Sequence, residues 1–404
     1  MADTEAEPSA LADYRRRTRR ATRIYAAVLA AVVLLAVLGV KLAYAHGELN
    51  KVSFRTATAP ATLPAATPST RLAEAWHTSE TAAAGDPYDG GTVVTYSGHT
   101  VNGRDAVTGA VRWHYTRSDE TLCSVLQQDG STIAIYLRKG NCDEVTGFVT
   151  ATGRPKWYRT LTDNGITTAA SVSNDVMTVS PHGVHVFDND GGLDRWNWSA
   201  PDGCVVRHAL AGSLGVLISQ DCAAGHQLVL HDAIADSVKW TVDTPTAMLP
   251  IAADAFVGAL DPGTGSVQRF TPDKGASRQT ARVPAGPSSP DGGLPTAVAA
   301  VSATDAAGQP VQLVWLARPR RLLAMAGDGS VLWFAPATGP AWPVTSAFVA
   351  SLAGPDQVPL RRVDGGQAQL TSTLTPPAAS ADARIYPVAS GLLVAGDTDT
   401  VRYR

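Results

Sequence analysis

The chain is poor in the residues that announce a chemical site. Cysteine occurs four times in 404 residues, never as an adjacent pair and never in C-x-x-C spacing. Zinc held by closely spaced thiolates is therefore excluded. No G-x-S-x-G, no H-E-x-x-H and no glycine-rich phosphate loop occurs, which removes the corresponding hydrolase, zinc-protease and nucleotide-binding readings. Charged residues are only 17% and the net charge is −3, so the chain carries no basic field for nucleic acid. Long apolar runs are confined to the N-terminal region, and helical periodicity is not evident beyond it.

What remains is rich in glycine (36 residues) and tryptophan (nine), set in Val-, Thr- and Ala-rich sequence. That composition favours strands and tight turns over helices.

The first 70 residues fall into three parts. Residues 1–23 form a short tail ending in Arg15, Arg16, Arg17, Arg19, Arg20 and Arg23. Ile24 to Ala45 is apolar apart from Lys41; as a helix it would be about 33 Å long, enough to cross a bilayer core. The arginines would stay cytoplasmic and place the remainder outside. Ala43-Tyr44-Ala45 has the form of a signal-peptidase site, so cleavage there is one reading. The unbroken run Ile24–Val40 is long for a signal-peptide core and favours an uncleaved membrane anchor. Residues 46–70 contain "RTATAPATLPAATPST", which reads as an extended spacer holding the following domain off the membrane.

Residues 71–404 repeat. Trp76, Trp113, Trp157, Trp196, Trp240 and Trp333 each close a similar stretch, and the first five are spaced 37 to 44 residues apart. Gly109, Gly153, Gly192 and Gly329 stand four places before a tryptophan, while Asp236 and Leu72 take that place before Trp240 and Trp76. Such a period holds four short strands and their turns, one propeller blade. Weaker outer strands near 277–283 and 367–374 bring the count to eight, with seven as the alternative. The chain ends on three strands with no tryptophan strand after them, and the repeat region opens on one with no three before it. The first strand is thus expected to complete the last blade, leaving no open sheet edge. The expected fold is an all-β, eight-bladed β-propeller behind one transmembrane helix.

Cys123 and Cys142 are 19 residues apart and Cys204 and Cys222 are 18 apart, in nearly equivalent places two blades away. We expect these two pairings, each closing a loop worth about 3 kcal/mol in the chain-entropy model. Export from the cytoplasm would permit them.

"GRDAVTGAVRW" resembles the tryptophan-docking repeat of the pyrroloquinoline-quinone (PQQ) dehydrogenase-like propellers, a superfamily with many bacterial exported members. Asp105, Thr108-Gly109 and Trp113 match, and Gly103 stands where the family has alanine. "ATGRPKW" keeps Gly153 and Trp157 with Val149 in the Asp place, and "LDPGTG" keeps Asp and Thr-Gly with Arg269 in the Trp place. The resemblance implies that Thr108-Gly109 turn one strand into the next, that Asp105 braces the turn, and that Trp113 packs one blade on another. The family's enzymes hold a quinone and Ca²⁺ at the ring centre, and its other members include an envelope-assembly lipoprotein. No adjacent cysteine pair and no matching acidic cluster supports carrying over the enzyme residues. No catalytic, cofactor or metal residue is therefore assigned. The expected role is a non-enzymatic, membrane-anchored scaffold binding another envelope protein, with a PQQ- and calcium-dependent dehydrogenase as the alternative.

Three further features read as structural. Asp188, Asp190 and Asp194 in "FDNDGGLD" mimic a calcium loop, but Gly192 breaks the ligand series and a hairpin turn is expected. His182 and His185 lack a third ligand and are expected as surface or loop residues. Trp198, Trp315 and Trp342 fall outside the repeat register, and Trp342 is the one expected to be exposed.

Overall fold

The computed structural model describes residues 8–46, 50–63, 68–161, 165–172, 174–283, 296–318, 320–345, 347–378, 380, 383–389 and 391–404. The chain divides into two compact units, Met1–Ser53 and Phe54–Arg404.

In the first unit one helix runs from Pro8 to His46, so the basic tail and the apolar run form a single element. Its segment Thr22–Lys41 has a mean hydropathy of 2.5 and is long and apolar enough to cross a membrane.

The second unit is a ring of eight blades, each built on four antiparallel strands, with further short strands added to the sheets of blades 1 and 2. Blade 1 is built on Thr81–Ala82, Thr92–Ser97, Thr100–Asp105 and Val111–Arg117; blade 2 on Thr121–Gln128, Ser131–Arg138, Asn141–Val149 and Arg154–Thr160. Blades 3 to 6 follow in the same order and end on the outer strands Asp194–Ser199, Val238–Thr244, Ser277–Arg282 and Val331–Pro336. Blade 7 runs from Trp342–Thr345 to its outer strand Ala368–Thr375. Blade 8 takes Arg384–Val388, Gly391–Ala395 and Thr400–Tyr403 from the C-terminus and Arg71–Thr78 from the start of the repeat region.

Closure follows from that exchange. Arg71–Thr78 pairs antiparallel with Thr400–Tyr403, with Trp76 opposite Arg402 and Thr78 opposite Thr400. Its first residues also pair in parallel with blade 7, Leu72 opposite Leu374. Blades 7 and 8 are thereby fused into one eight-stranded sheet.

Burial follows strand position. The middle strands are covered on both faces by neighbouring blades, and Gly183–Asp188 is buried throughout, as expected for a strand with no solvent face. Outer strands alternate; in Asp194–Ser199 only Trp196 is fully buried.

Two expectations change here. The compact unit begins at Phe54, not at residue 71. Arg55 Nη2 donates to the Val111 carbonyl at 2.8 Å, the Ala57 amide donates to Thr152 O at 2.9 Å, and an Arg112 Nη2–H donates to Thr58 O. Leu63 packs beside Trp76 and Tyr88. An extended Pro/Ala/Thr chain leaves its backbone groups free, and here blades 1 and 2 satisfy them. "LDPGTG" is also displaced from its expected place. Asp261–Gly265 joins Val257–Leu260 to Ser266–Phe270, the second and third strands of blade 5, so Arg269 does not occupy a tryptophan position.

Candidate functional site

The repeated tryptophans form joints. Five of the six indoles lie on a glycine in the turn between strands three and four of the next blade. A Cβ at Gly109 would stand 2.7 Å from Trp76, at Gly153 2.5 Å from Trp113, and at Gly192 2.7 Å from Trp157. Gly275 seats Trp240 and Gly366 seats Trp333, at 2.8 and 2.6 Å. The five seats have φ between +64° and +74°, so glycine also supplies the backbone conformation. The indole N–H then finds a carbonyl in that turn: Trp76 to Ala106, Trp113 to Thr150, Trp157 to Asn189, Trp196 to Ala233 and Trp333 to Val363, at 2.7 to 3.2 Å.

Three joints depart from the pattern. Trp240 lies on Gly275, but its buried indole N–H has no hydrogen-bond partner among the described residues. Gly329 meets Thr280, not a tryptophan, with a would-be Cβ contact of 2.8 Å to Oγ1. Trp196 has no glycine seat and stacks on His231, ring centroids 4.0 Å apart.

The acidic turn residues brace these joints. Asp105 Oδ1 accepts from the amides of Val107 and Thr108 at 3.0 and 2.9 Å and from Thr108 Oγ1 at 3.1 Å. Asp188 accepts from the amides of Asp190, Gly191 and Leu193. Burial would raise both carboxyls, but the bonded amides hold them below the usual range. Asp232 is held at about 2 by the Ala235 and Ile234 amides. The remaining acids of "FDNDGGLD" are also engaged: Asp190 pairs with Lys156, and Asp194 Oδ1 sits 2.6 Å from both Arg159 Nη2 and His185 Nε2.

His185 is therefore not a surface residue. It is 2% exposed, held by Asp194 and packed edge-on to Phe187. Cys123 is bonded to Cys142 and Cys204 to Cys222. Both bonds lie inside single blades, and Cys204 stands directly opposite Cys222 across the first strand pair of blade 4.

The ring centre holds what sequence reasoning missed. A recess of about 320 Å³ is lined by Asp86, Tyr88 and Asp89 of blade 1, Gln127 and Asp129 of blade 2, Ser171 of blade 3 and Trp342 of blade 7. Blades 3 and 7 are opposite members of an eight-membered ring, so only the axis brings Ser171 and Trp342 around one recess. Asp86 and Asp89 come from the long connection between the first two strands of blade 1. Its piece Ala84–Gly85 pairs in parallel with Leu126–Gln127, which sets both carboxylates beside the Asp129-Gly130 turn.

Burial raises Asp86 from 3.8 to about 6, and the charges of Asp89 and Asp129 add to the rise; the Tyr88 amide bond opposes it. Burial and Asp129 raise Asp89. Trp342, expected exposed, is half-buried against Tyr386 with ring centroids 4.9 Å apart. Trp198 is also half-buried, and Trp315 is buried. The one signal in the sequence was "DPYDGG" (Asp86–Gly91), two acids around a Pro-Tyr pair, of which Asp86 accepts the Tyr88 amide at 3.2 Å. Among the described residues no group of three His, Cys, Asp or Glu side chains is placed to hold a metal ion.

No protein-family model matches the chain, and no curated protein matches it in sequence. Solved structures match its shape. The computationally designed Ika8 protein is 11% identical, with 83% of this chain and 99% of that one aligned and a TM-score of 0.58. Sqt1 of Saccharomyces cerevisiae is 9% identical over 86% and 99%, with a TM-score of 0.55. BamB of Moraxella catarrhalis is 14% identical over 82% and 99%, with a TM-score of 0.49. At these identities the first two likenesses show the propeller fold and nothing further.

Proposed function

We propose that the chain is a membrane-anchored, extracytoplasmic propeller that works by binding an envelope protein, without catalysis. The observation that carries this reading is where the repeat chemistry goes. The acids and indoles that mimic a site in sequence are spent in structure: Asp105 and Asp188 on turn amides, Asp190 and Asp194 in ion pairs, and the repeated Trp on the next blade. Joints of this kind yield a rigid ring whose connecting loops are free to vary, which suits a binding scaffold. An apolar helix behind an arginine cluster supports an anchor with its N-terminus in the cytoplasm. Two disulfides support an oxidising location for the ring.

The alternative is a dehydrogenase with PQQ and calcium at the ring centre. Among the described residues no group of three His, Cys, Asp or Glu side chains gathers to support that calcium. Co-purification of the detergent-solubilised full chain, run beside dye reduction with PQQ, Ca²⁺ and alcohol or sugar substrates, separates the two. A reproducible partner with a flat dye assay is expected; turnover with no partner would overturn the reading. Non-reducing peptide mapping of the protein from membranes is expected to recover both cystines, and free thiols would refute the location.

A further inference from the structure

We propose that the ring-centre recess binds an alkylammonium group. The inference stands on the recess itself and does not depend on the scaffold reading. The charge of the lining is of one sign: three Asp and no Lys, Arg or His. Asp86, Asp89 and Asp129 offer acceptor oxygens when ionised, and among the described residues no ion pair engages any of them. A Cβ at Gly130 would stand 3.7 Å from Asp89 Oδ2, so the carboxylate of blade 1 lies directly against the blade 2 turn.

A second observation comes from a different kind of group. Gln127 lines the recess, is only 2% exposed, and its Oε1 has no hydrogen-bond partner among the described residues. Unmatched buried polar atoms are costly, and a ligand that donates to them removes the cost. Three carboxylates with no Lys, Arg or His beside them in the lining call for a cation, and an ammonium carries three N–H donors and no acceptor. The acids are not placed to share one metal ion, whereas an amine on a carbon chain reaches separated carboxylates in turn. Trp342 supplies an aromatic wall for the methylenes or the cation. The volume of about 320 Å³ fits a small organic ligand.

Free polyamines and lysine side chains carry the same group. Isothermal titration of the detergent-solubilised full chain at low salt tests the idea with spermidine, an acetylated lysine amide and CaCl₂ as probes. We expect saturable binding of spermidine at one site per chain, weakened at least tenfold by Asp89→Asn/Asp129→Asn. Asparagine tolerates the positive φ at position 129, so that variant keeps its turn. Asp202→Asn/Asp273→Asn removes equal charge from exposed positions and is expected to bind as the parent does. Binding of spermidine alone identifies a free polyamine, and binding of both amines identifies a lysine side chain. No saturable heat with either amine, Ca²⁺ binding in their place, or an equal loss in the control variant would overturn the proposal.

Discussion

The indole of Trp113 lies on Gly153 of the next blade and donates its Nε1–H to Thr150 O at 2.8 Å. Position 153 has a φ of +69° and no room for a side chain. Gly153→Val therefore meets both overpacking and a disfavoured backbone, a loss of roughly 2–4 kcal/mol. Chemical denaturation of the parent and the variant measures it. A change within about 0.5 kcal/mol would show that the ring tolerates an open joint.

Ring closure rests on the last strand. Tyr403 and Val401 are buried, and the Tyr403 hydroxyl donates to Pro376 O at 3.0 Å. Deleting residues 400–404 leaves Arg71–Thr78 without its antiparallel partner and removes both side chains from the core. The expected loss is roughly 5 kcal/mol or more. Calorimetry of the truncated chain checks it, and an unchanged melting temperature would mean that the terminal strands do not close the ring.

The ring centre gives the protein a pH signature. Asp86 binds its proton more tightly in the folded state, with its pKa raised from 3.8 to about 6. The stability it contributes is complete below about pH 4 and is lost as the pH rises through about 6. Asp86→Asn removes that dependence. The parent and the variant should melt together near pH 4, and the variant should melt higher at pH 7.5. The turn acids with lowered values, Asp105 and Asp188 among them, cancel in the difference. Parallel melting curves from pH 4 to 8 would contradict the raised pKa.

The frame of the fold was legible because Trp, Gly and Asp recur at a fixed period, and each does one job in the joint. Trp76 at one end and a missing tryptophan strand at the other disclosed the closure. The paired spacing of Cys123, Cys142, Cys204 and Cys222 followed the same frame. Legibility failed where the marker residue was absent. Blade 5 carries Thr280 in place of a tryptophan; its outer strand, expected near 277–283, lies at Ser277–Arg282, but "LDPGTG" offered a competing register because Asp and Thr-Gly suit any tight turn. Residues 54–63 were read by composition, which reports flexibility in water but not the carbonyls and amides that blades 1 and 2 offer them. Gly103 was legible as a departure from the family, and the structure supplies the reason: a Cβ there would fall 2.0 Å from the Trp113 ring. Beyond "DPYDGG", the grouping of the ring-centre acids was not legible because Asp89 and Asp129 are separated in sequence, and ring geometry brings them together.

The central claim is that the repeated stretch around Trp113 is a joint and that binding resides elsewhere on the ring. Trp113 is fully buried, so Trp113→Ala should cost about 3–5 kcal/mol. The decisive measurement is denaturation of that variant beside titration of its folded fraction with spermidine. A lower stability with unchanged spermidine affinity is the predicted result. Unchanged stability with lost binding would make the stretch a site and contradict the account.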